Sequence, residues 1–243
     1  MIRESGNDSE LGRFSWHKLL GKNGHSIVIC TAYQPCNMAV TRRRQNSEGV
    51  EVEELAVGPS TVVAQQYSIL AEHDRLCHPR QAFMEDLRKN LLEWRQQGCD
   101  IILGGDFNES LREPNSALAS LAEDFQLHDV YASLHGGSNA PATYNRGSRC
   151  ILDYIFMTER LVSQVKESGY LAFGDCIASD HRGQFVDLDT TGFLGGTPDH
   201  IAKFQISPEI YGNSRSISPG SSCDRTYCIC REQSSVGRLF GTN

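Results

Sequence analysis

No apolar run in the 243-residue sequence approaches the ~18 residues that a membrane-spanning helix needs, so no helical span is expected. The opening Met1-Ile2-Arg3-Glu4-Ser5-Gly6-Asn7-Asp8 lacks the apolar core of a secretory signal and the Arg/Ser-rich, acid-poor face of a transit peptide. An intracellular, non-secreted protein is the expectation. An excess of basic residues is also missing: 23 Lys and Arg face 30 Asp and Glu, a net charge of −7. That excludes a broadly basic nucleic-acid binder. It leaves room for a nuclease, because a bound cation can supply attraction at one spot. No internal repeat is visible.

With 39% apolar and 22% charged residues, the composition is that of an ordinary globular chain with enough material for a core. At about 150 residues per domain the length fits one two-layered domain with flanking segments. The nine cysteines are odd in number. Cys30, Cys36, Cys77, Cys99, Cys150 and Cys176 are scattered, mostly within apolar runs, which reads as small buried hydrophobes in a reducing compartment. Cys223, Cys228 and Cys230 lack the paired spacing and histidine of a zinc site.

Residues 1–12 are polar and expected to be disordered. The β-branched run Ser26 to Tyr33, ended by Pro35, predicts a buried strand. Asn37 to Pro59 reads as a polar loop, in which Arg42-Arg43-Arg44 could steer a phosphate backbone but more simply form a solvated surface. Ser60 or Thr61 can cap a helix with Val63, Tyr67 and Leu70 inward. Pro79 opens a second helix whose Phe83, Leu87, Leu91 and Trp94 form one apolar stripe, and Gly98 stops it. Asp100 to Gly104 reads as an interior strand, Leu118 to Phe125 as a helix, and Ile151 to Met157 as a strand. Gln184 to Asp189 alternates like a half-exposed strand. The Ser/Gly/Arg-rich stretch 198–243 reads as a disordered tail, leaving an α/β layered domain over 13–197.

Chemistry concentrates in four patches. Gly104-Gly105-Asp106-Phe107-Asn108 releases an acid and an amide at the carboxyl end of a buried strand, a rigid platform for ligands. An Asx turn that only ties off backbone groups is the competing account. Ser179-Asp180-His181 sets a carboxylate beside an imidazole, a pairing suited to metal ligation and transition-state stabilisation, although such pairs are often plain surface contacts. Asp153 is an acid within an apolar strand and needs a partner. His181 is a natural one, oriented by Asp153 and favoured in its cationic form. Tyr33 precedes Pro35 at a strand end, where plain packing would also account for it.

Tyr33-Gln34-Pro35, Gly105-Asp106-Phe107-Asn108, Leu152-Asp153-Tyr154-Ile155 and Ser179-Asp180-His181, in this order, resemble the endonuclease/exonuclease/phosphatase superfamily of DNase I-like, Mg²⁺-dependent phosphodiesterases. Trp16, Thr61, Gln65-Gln66, Pro79-Arg80, Phe83 and Thr143-Tyr144 look most like the endonuclease domains of retroelements. The resemblance spans roughly Gly12 to Asp189. It implies a DNase I-like sandwich of two packed β-sheets flanked by helices. It also implies that Asp106 orients or deprotonates the attacking water, with Asn108 positioning it and approaching the metal. Asp180 would help hold Mg²⁺ or Mn²⁺, His181 aligned by Asp153 would stabilise charge on the phosphate, and Tyr33 would bond a phosphate oxygen. The implied partner is nucleic acid, DNA ahead of RNA, which would make a nuclear location natural.

The family pattern also begins with a strand bearing a metal-site Asn and a second ending in a metal-binding Glu. Only 32 residues precede Tyr33, and none forms an apolar strand ending in Glu; Glu4 and Glu10 lie in polar surroundings. The expectation is therefore a domain lacking its first strands, with weakened metal binding. A catalytically inactive retroelement-derived remnant that at most binds nucleic acid or a partner is the alternative. An interaction protein working through the Ser/Arg/Cys tail is a third reading.

Overall fold

The computed structural model describes residues 2–8, 10–21, 24–47, 49–146, 150–174, 178–194 and 236–241. Strands β1 (Ile2–Asn7), β2 (Phe14–Leu20) and β3 (Ser26–Tyr33) run as an antiparallel meander. A hairpin of β4 (Thr41–Gln45) and β5 (Glu51–Leu55) stands apart as its own two-stranded sheet. Helices α1 (Val62–Glu72) and α2 (Pro79–Gln96) then return the chain to β6 (Asp100–Asp106), which lies parallel to β3. Next come α3 (Ala117–Asp124), β7 (Leu127–Asp129), α4 (Val130–His135) and β8 (Asp153–Thr158). The principal sheet has the order β1-β2-β3-β6-β8-β7. After α5 (Glu159–Val162), β9 (Val165–Tyr170), β10 (Gln184–Asp189) and β11 (Val236–Gly241) form a second sheet, with α6 (Thr191–Leu194) following β10 in the chain.

The helices form for the reasons their sequence states. Thr61 caps α1, its side chain accepting from Ala64 N, while His78 caps α2 and Pro79 takes the first turn, where no amide partner is lost. Every residue of the Phe83, Leu87, Leu91, Trp94 stripe is buried. That stripe packs with Leu118 and Leu121 of α3 on Val28, Cys30, Ile101, Leu103 and Phe156, the helix-facing side of the sheet. Trp94 meets Trp16 edge-on at 5.5 Å between centroids. The opposite side of the sheet, through Ile27, Ile102, Ile155 and Met157, packs against Val186 and Leu188 of β10. The result is the expected α/β sandwich of two packed sheets with flanking helices.

Three expectations change. Residues 1–12 are not frayed throughout: Ile2–Asn7 pairs as the edge strand β1, its backbone groups satisfied by β2. Arg13, only 1% exposed, anchors the intervening turn through Asp8 (2.5 Å) and through Asp86 of α2 (2.6 Å). The segment Asn37 to Pro59 is not all loop; its charged residues lie along the paired strands β4 and β5, where Arg42 pairs with Glu54. Within 198–243, Val236–Gly241 forms β11 on β10, and the rest of that tail, with Cys223, Cys228 and Cys230, lies outside the described residues, as does Cys176. Polar composition hides such edge strands because only one side of each needs a neighbour. Cys30, Cys36, Cys77, Cys99 and Cys150 are free thiols, Cys30 and Cys99 buried. No helix among the described residues is long and apolar enough to cross a membrane.

Gly105 is the tightest point of the sheet. It has φ +154°, and a Cβ there would stand 1.8 Å from the Ala32 carbonyl oxygen of β3. At Gly104 a Cβ would meet Ile155 Cγ1 at 3.5 Å, an ordinary contact. Gly105→Ala should therefore lower unfolding free energy by about 3 kcal/mol or more in urea titrations, whereas Gly104→Ala should stay within about 1 kcal/mol. Equal effects would remove the steric account.

Candidate active site

Three strand ends meet at one edge of the sandwich. Register places Tyr33, the last residue of β3, beside Asp106, the last of β6, and Asp106 opposite Asp153, the first of β8. Asp153 thus begins its strand rather than interrupting it, and is 8% exposed. Its start is held by Thr143, whose buried Oγ1 accepts from Leu152 N (2.9 Å) and Asp153 N (3.1 Å). The neighbouring Tyr144 bridges by backbone to His181 and lays its ring 4.8 Å from the imidazole. Thr143-Tyr144 therefore clips together two residues that lie 28 positions apart.

Asp153 Oδ2 and His181 Nδ1 are 2.9 Å apart, the pairing the sequence suggests. Asp106, Asp153 and His181 each present a ligand atom within 4.8 Å of the others. Asp106 is 4% exposed. Burial, together with the charge of Asp153, outweighs the Asn108 N–H, His181 and Arg80 and pushes its carboxyl up to about 6. Its Oδ1 accepts from Asn108 N (2.9 Å) and its Oδ2 from Asn108 Nδ2 (3.3 Å). The Asx turn is thus real, and it does more than tie off the backbone. It turns Asn108 into the left-handed region (φ +46°) beside the cluster. Tyr33 is pushed up to about 12, first by burial and then by Cys36 and Asp106, so at neutral pH its hydroxyl is a donor. That hydroxyl lies beside Asn108 and Cys36.

Asp180 does not join this cluster. Its carboxylate pairs with Arg146 at 2.9 Å and its carbonyl accepts from Asn145 N at 2.8 Å. Glu4 pairs with Lys18 and Glu10 with His73. Neither belongs to the metal-capable group found among the described residues.

The sequence motifs include Arg80, beside Pro79, but give no site role to it or to Glu109. Arg80 Nη1 donates to the carbonyls of Pro35 (3.0 Å) and Asn108 (3.1 Å), and Nη2 to Glu109 Oε2 (2.5 Å). Glu109 Oε1 accepts from Ser116 Oγ (2.6 Å) and Leu118 N (3.1 Å) at the start of α3. Burial would raise the Glu109 carboxyl, but Ser116, Leu118 N–H and Arg80 outweigh it and hold it below its ordinary value. The signals in the sequence were an arginine beside Pro79 and an acid directly after Asn108, and neither by itself names its partner.

The profile of the Endonuclease/Exonuclease/phosphatase family matches residues 21–181. The chain belongs to this family. Tyr33, Asp106, Asn108, Asp153 and His181 all lie within the matched segment. Three solved structures of similar fold are the catalytic domain of human Nocturnin (16% identity, TM-score 0.40), the 3′ phosphatase NExo from Neisseria bound to a product DNA hairpin (11%, 0.47), and the endonuclease domain of TRAS1, a telomere-specific non-LTR retrotransposon (14%, 0.41). They cover 76%, 78% and 75% of this chain, which in turn spans 51%, 72% and 67% of theirs. The chain thus corresponds to about half the length of the Nocturnin structure. No curated protein matches the sequence.

The raised carboxyl of Asp106 has a measurable sign. Its value in the folded chain, about 6, exceeds the ordinary 3.8, so the folded state binds more protons than the unfolded one between those values. Stability should then fall as pH rises from about 4 to 6 and stay level above. With a chelator present, Asp106→Asn should raise unfolding free energy at pH 7.5 by on the order of 2 kcal/mol and leave it nearly unchanged at pH 4. A gain independent of pH, or none, would show that the burial of charge is not what strains the site.

Proposed function

We propose that this chain hydrolyses phosphodiester bonds of nucleic acid, DNA ahead of RNA, with the help of Mg²⁺ or Mn²⁺. The observation that carries the reading is the convergence of Asp106, Asp153 and His181 within 4.8 Å at the mouth of three paired strands. Two carboxylates that repel one another, with one carboxyl raised by burial, make a donor set that a divalent cation would neutralise. Mg²⁺ commonly takes one or two protein carboxylates and completes its shell with water and phosphate oxygens, so the residues present fit it. Asp106 and Asp153 would hold it, with Asn108 close by. Asp180 would join only by leaving Arg146. When bound, the cation supplies Lewis-acid neutralisation of phosphate charge.

The chain's own residues divide the remaining work. Asp106 is placed to accept a proton from an attacking water, and Asn108 to orient that water. Asp153 holds Nδ1 of His181, which leaves Nε2 to face the phosphate and stabilise charge developing there. Tyr33, kept protonated, can donate to a phosphate oxygen. Nothing in these roles requires a base or sugar contact, which agrees with a reaction governed by positioning and electrostatics.

A second reading is supported by the engagement of Asp180, Glu4 and Glu10 elsewhere: a domain that binds nucleic acid without cutting it. Purified protein incubated with supercoiled plasmid and Mg²⁺ or Mn²⁺ separates the two. The hydrolase reading expects nicking that a chelator abolishes and that Asp106→Ala and His181→Ala each reduce by about 10² or more, with DNA retention unchanged. Parallel single-stranded RNA and DNA substrates rank the two polymers. Equal nicking by wild type and Asp106→Ala would discard the assigned site. Retention without cleavage under every cation condition would favour the second reading.

A further inference from the structure

We propose that Arg80 is a positioning residue for this site, acting as a clamp that sets the backbone from which Asp106 and Asn108 project. The inference deepens the hydrolase reading and rests on it for its kinetic arm. All three nitrogens of the guanidinium are committed. The Gln34 amide, oriented so that its nitrogen donates to the Phe107 carbonyl (2.6 Å), accepts from Arg80 Nε through its oxygen at 3.2 Å. Nη1 spans the carbonyls of Pro35 and Asn108, and Nη2 meets the Glu109 carboxylate. One planar fork therefore ties the loop after β3 to the loop after β6, the two segments that carry Tyr33 and Asp106.

The need for such a tie lies in Asn108. A non-glycine residue at φ +46° sits in a sparsely populated region and persists only when its surroundings hold it. Its side chain is held by the Gln34 carbonyl (2.8 Å) and by Cys36 Sγ (3.4 Å), and its carbonyl by Arg80. Without these holds the residue can relax out of the left-handed region, and the Asn108 N–H and Nδ2 donors that fix the orientation of Asp106 are no longer held in place. Glu109 extends the clamp to the first turn of α3 through Ser116 and Leu118 N, so the loop is anchored on both sides. Arg80 starts on the rigid 18-residue helix α2, two residues into it, which gives the clamp a fixed base.

The competing account is a buried ion pair that supports overall stability only, since the side chains of Arg80 and Glu109 are 14% and 5% exposed. Lysine distinguishes the two, because it keeps a charge opposite Glu109 but, with one compact ammonium of three donors, cannot reach the Gln34 amide, both carbonyls and Glu109 together. In Arg80→Lys, amide hydrogen exchange at Asn108 and Glu109 should accelerate by about tenfold or more, while Ile101–Leu103 in β6 keep wild-type rates. In the plasmid assay, kcat should fall by about tenfold or more with KM within about twofold. Glu109→Gln, which keeps an acceptor for Ser116 and Leu118 N, should give the same local pattern at smaller amplitude and serves should the lysine variant fail to fold. Acceleration spread evenly over β6 and the loop, or wild-type exchange at Asn108, would overturn the clamp. If the wild type does not cleave, the exchange arm still decides for or against Arg80, and only the hydrolase reading falls.

Discussion

The site depends on strand register. β3, β6 and β8 lie side by side with Tyr33, Asp106 and Asp153 in consecutive pairing positions, so three polar groups leave the sheet together. A one-residue slip in either pairing would turn a site residue to the other face of the sheet and move it along its neighbour. Gly105 holds the register at the point of closest approach, where the β3 backbone occupies the space a side chain would need. The two cores, one under the helices and one between the sheets, resist the same slip from both faces.

That register forces an electrostatic tension. Asp106 and Asp153 are both buried and close, a costly arrangement for two acids. His181 relieves one through its 2.9 Å contact with Asp153, and the Asn108 amides relieve part of the other. What remains shows in the raised Asp106 carboxyl. Perturbed acids in a cluster of this kind are a common mark of functional sites. The bland account of each residue taken separately, a satisfied surface pair or a local turn, leaves the assembly of all three at one sheet edge unexplained.

Much of the fold was legible because it rests on local physics. The α2 stripe, the Thr61 cap and the runs that become β3 and β6 follow from periodicity and capping, whereas β10, expected to be half exposed, has Gln184, Val186, Asp187 and Leu188 buried. β1, β4 and β5 were not legible, since their polar and charged residues lack an apolar alternation, and these strands, like β11, lie at sheet edges that need only backbone partners. In the site, Asp106, Asp153 and His181 were read from motifs and assemble as those motifs suggest. Asp180, their neighbour in sequence, faces Arg146 instead. Adjacent residues on an irregular segment share a backbone but not a direction.

By itself the sequence determined the short-range features: a glycine where no side chain fits, an acid and an amide two apart that close an Asx turn, and helices whose apolar residues fall on one side. Each is decided by sterics or hydrogen bonds within a few residues. Only the tertiary structure decided which acid is drawn off by an arginine, and that Arg80 of α2 joins the two site loops across 45 and 28 residues of chain. Those outcomes belong to strand pairing and helix packing, where the competing partners are distant in sequence and their separation is settled only once the whole sheet has closed.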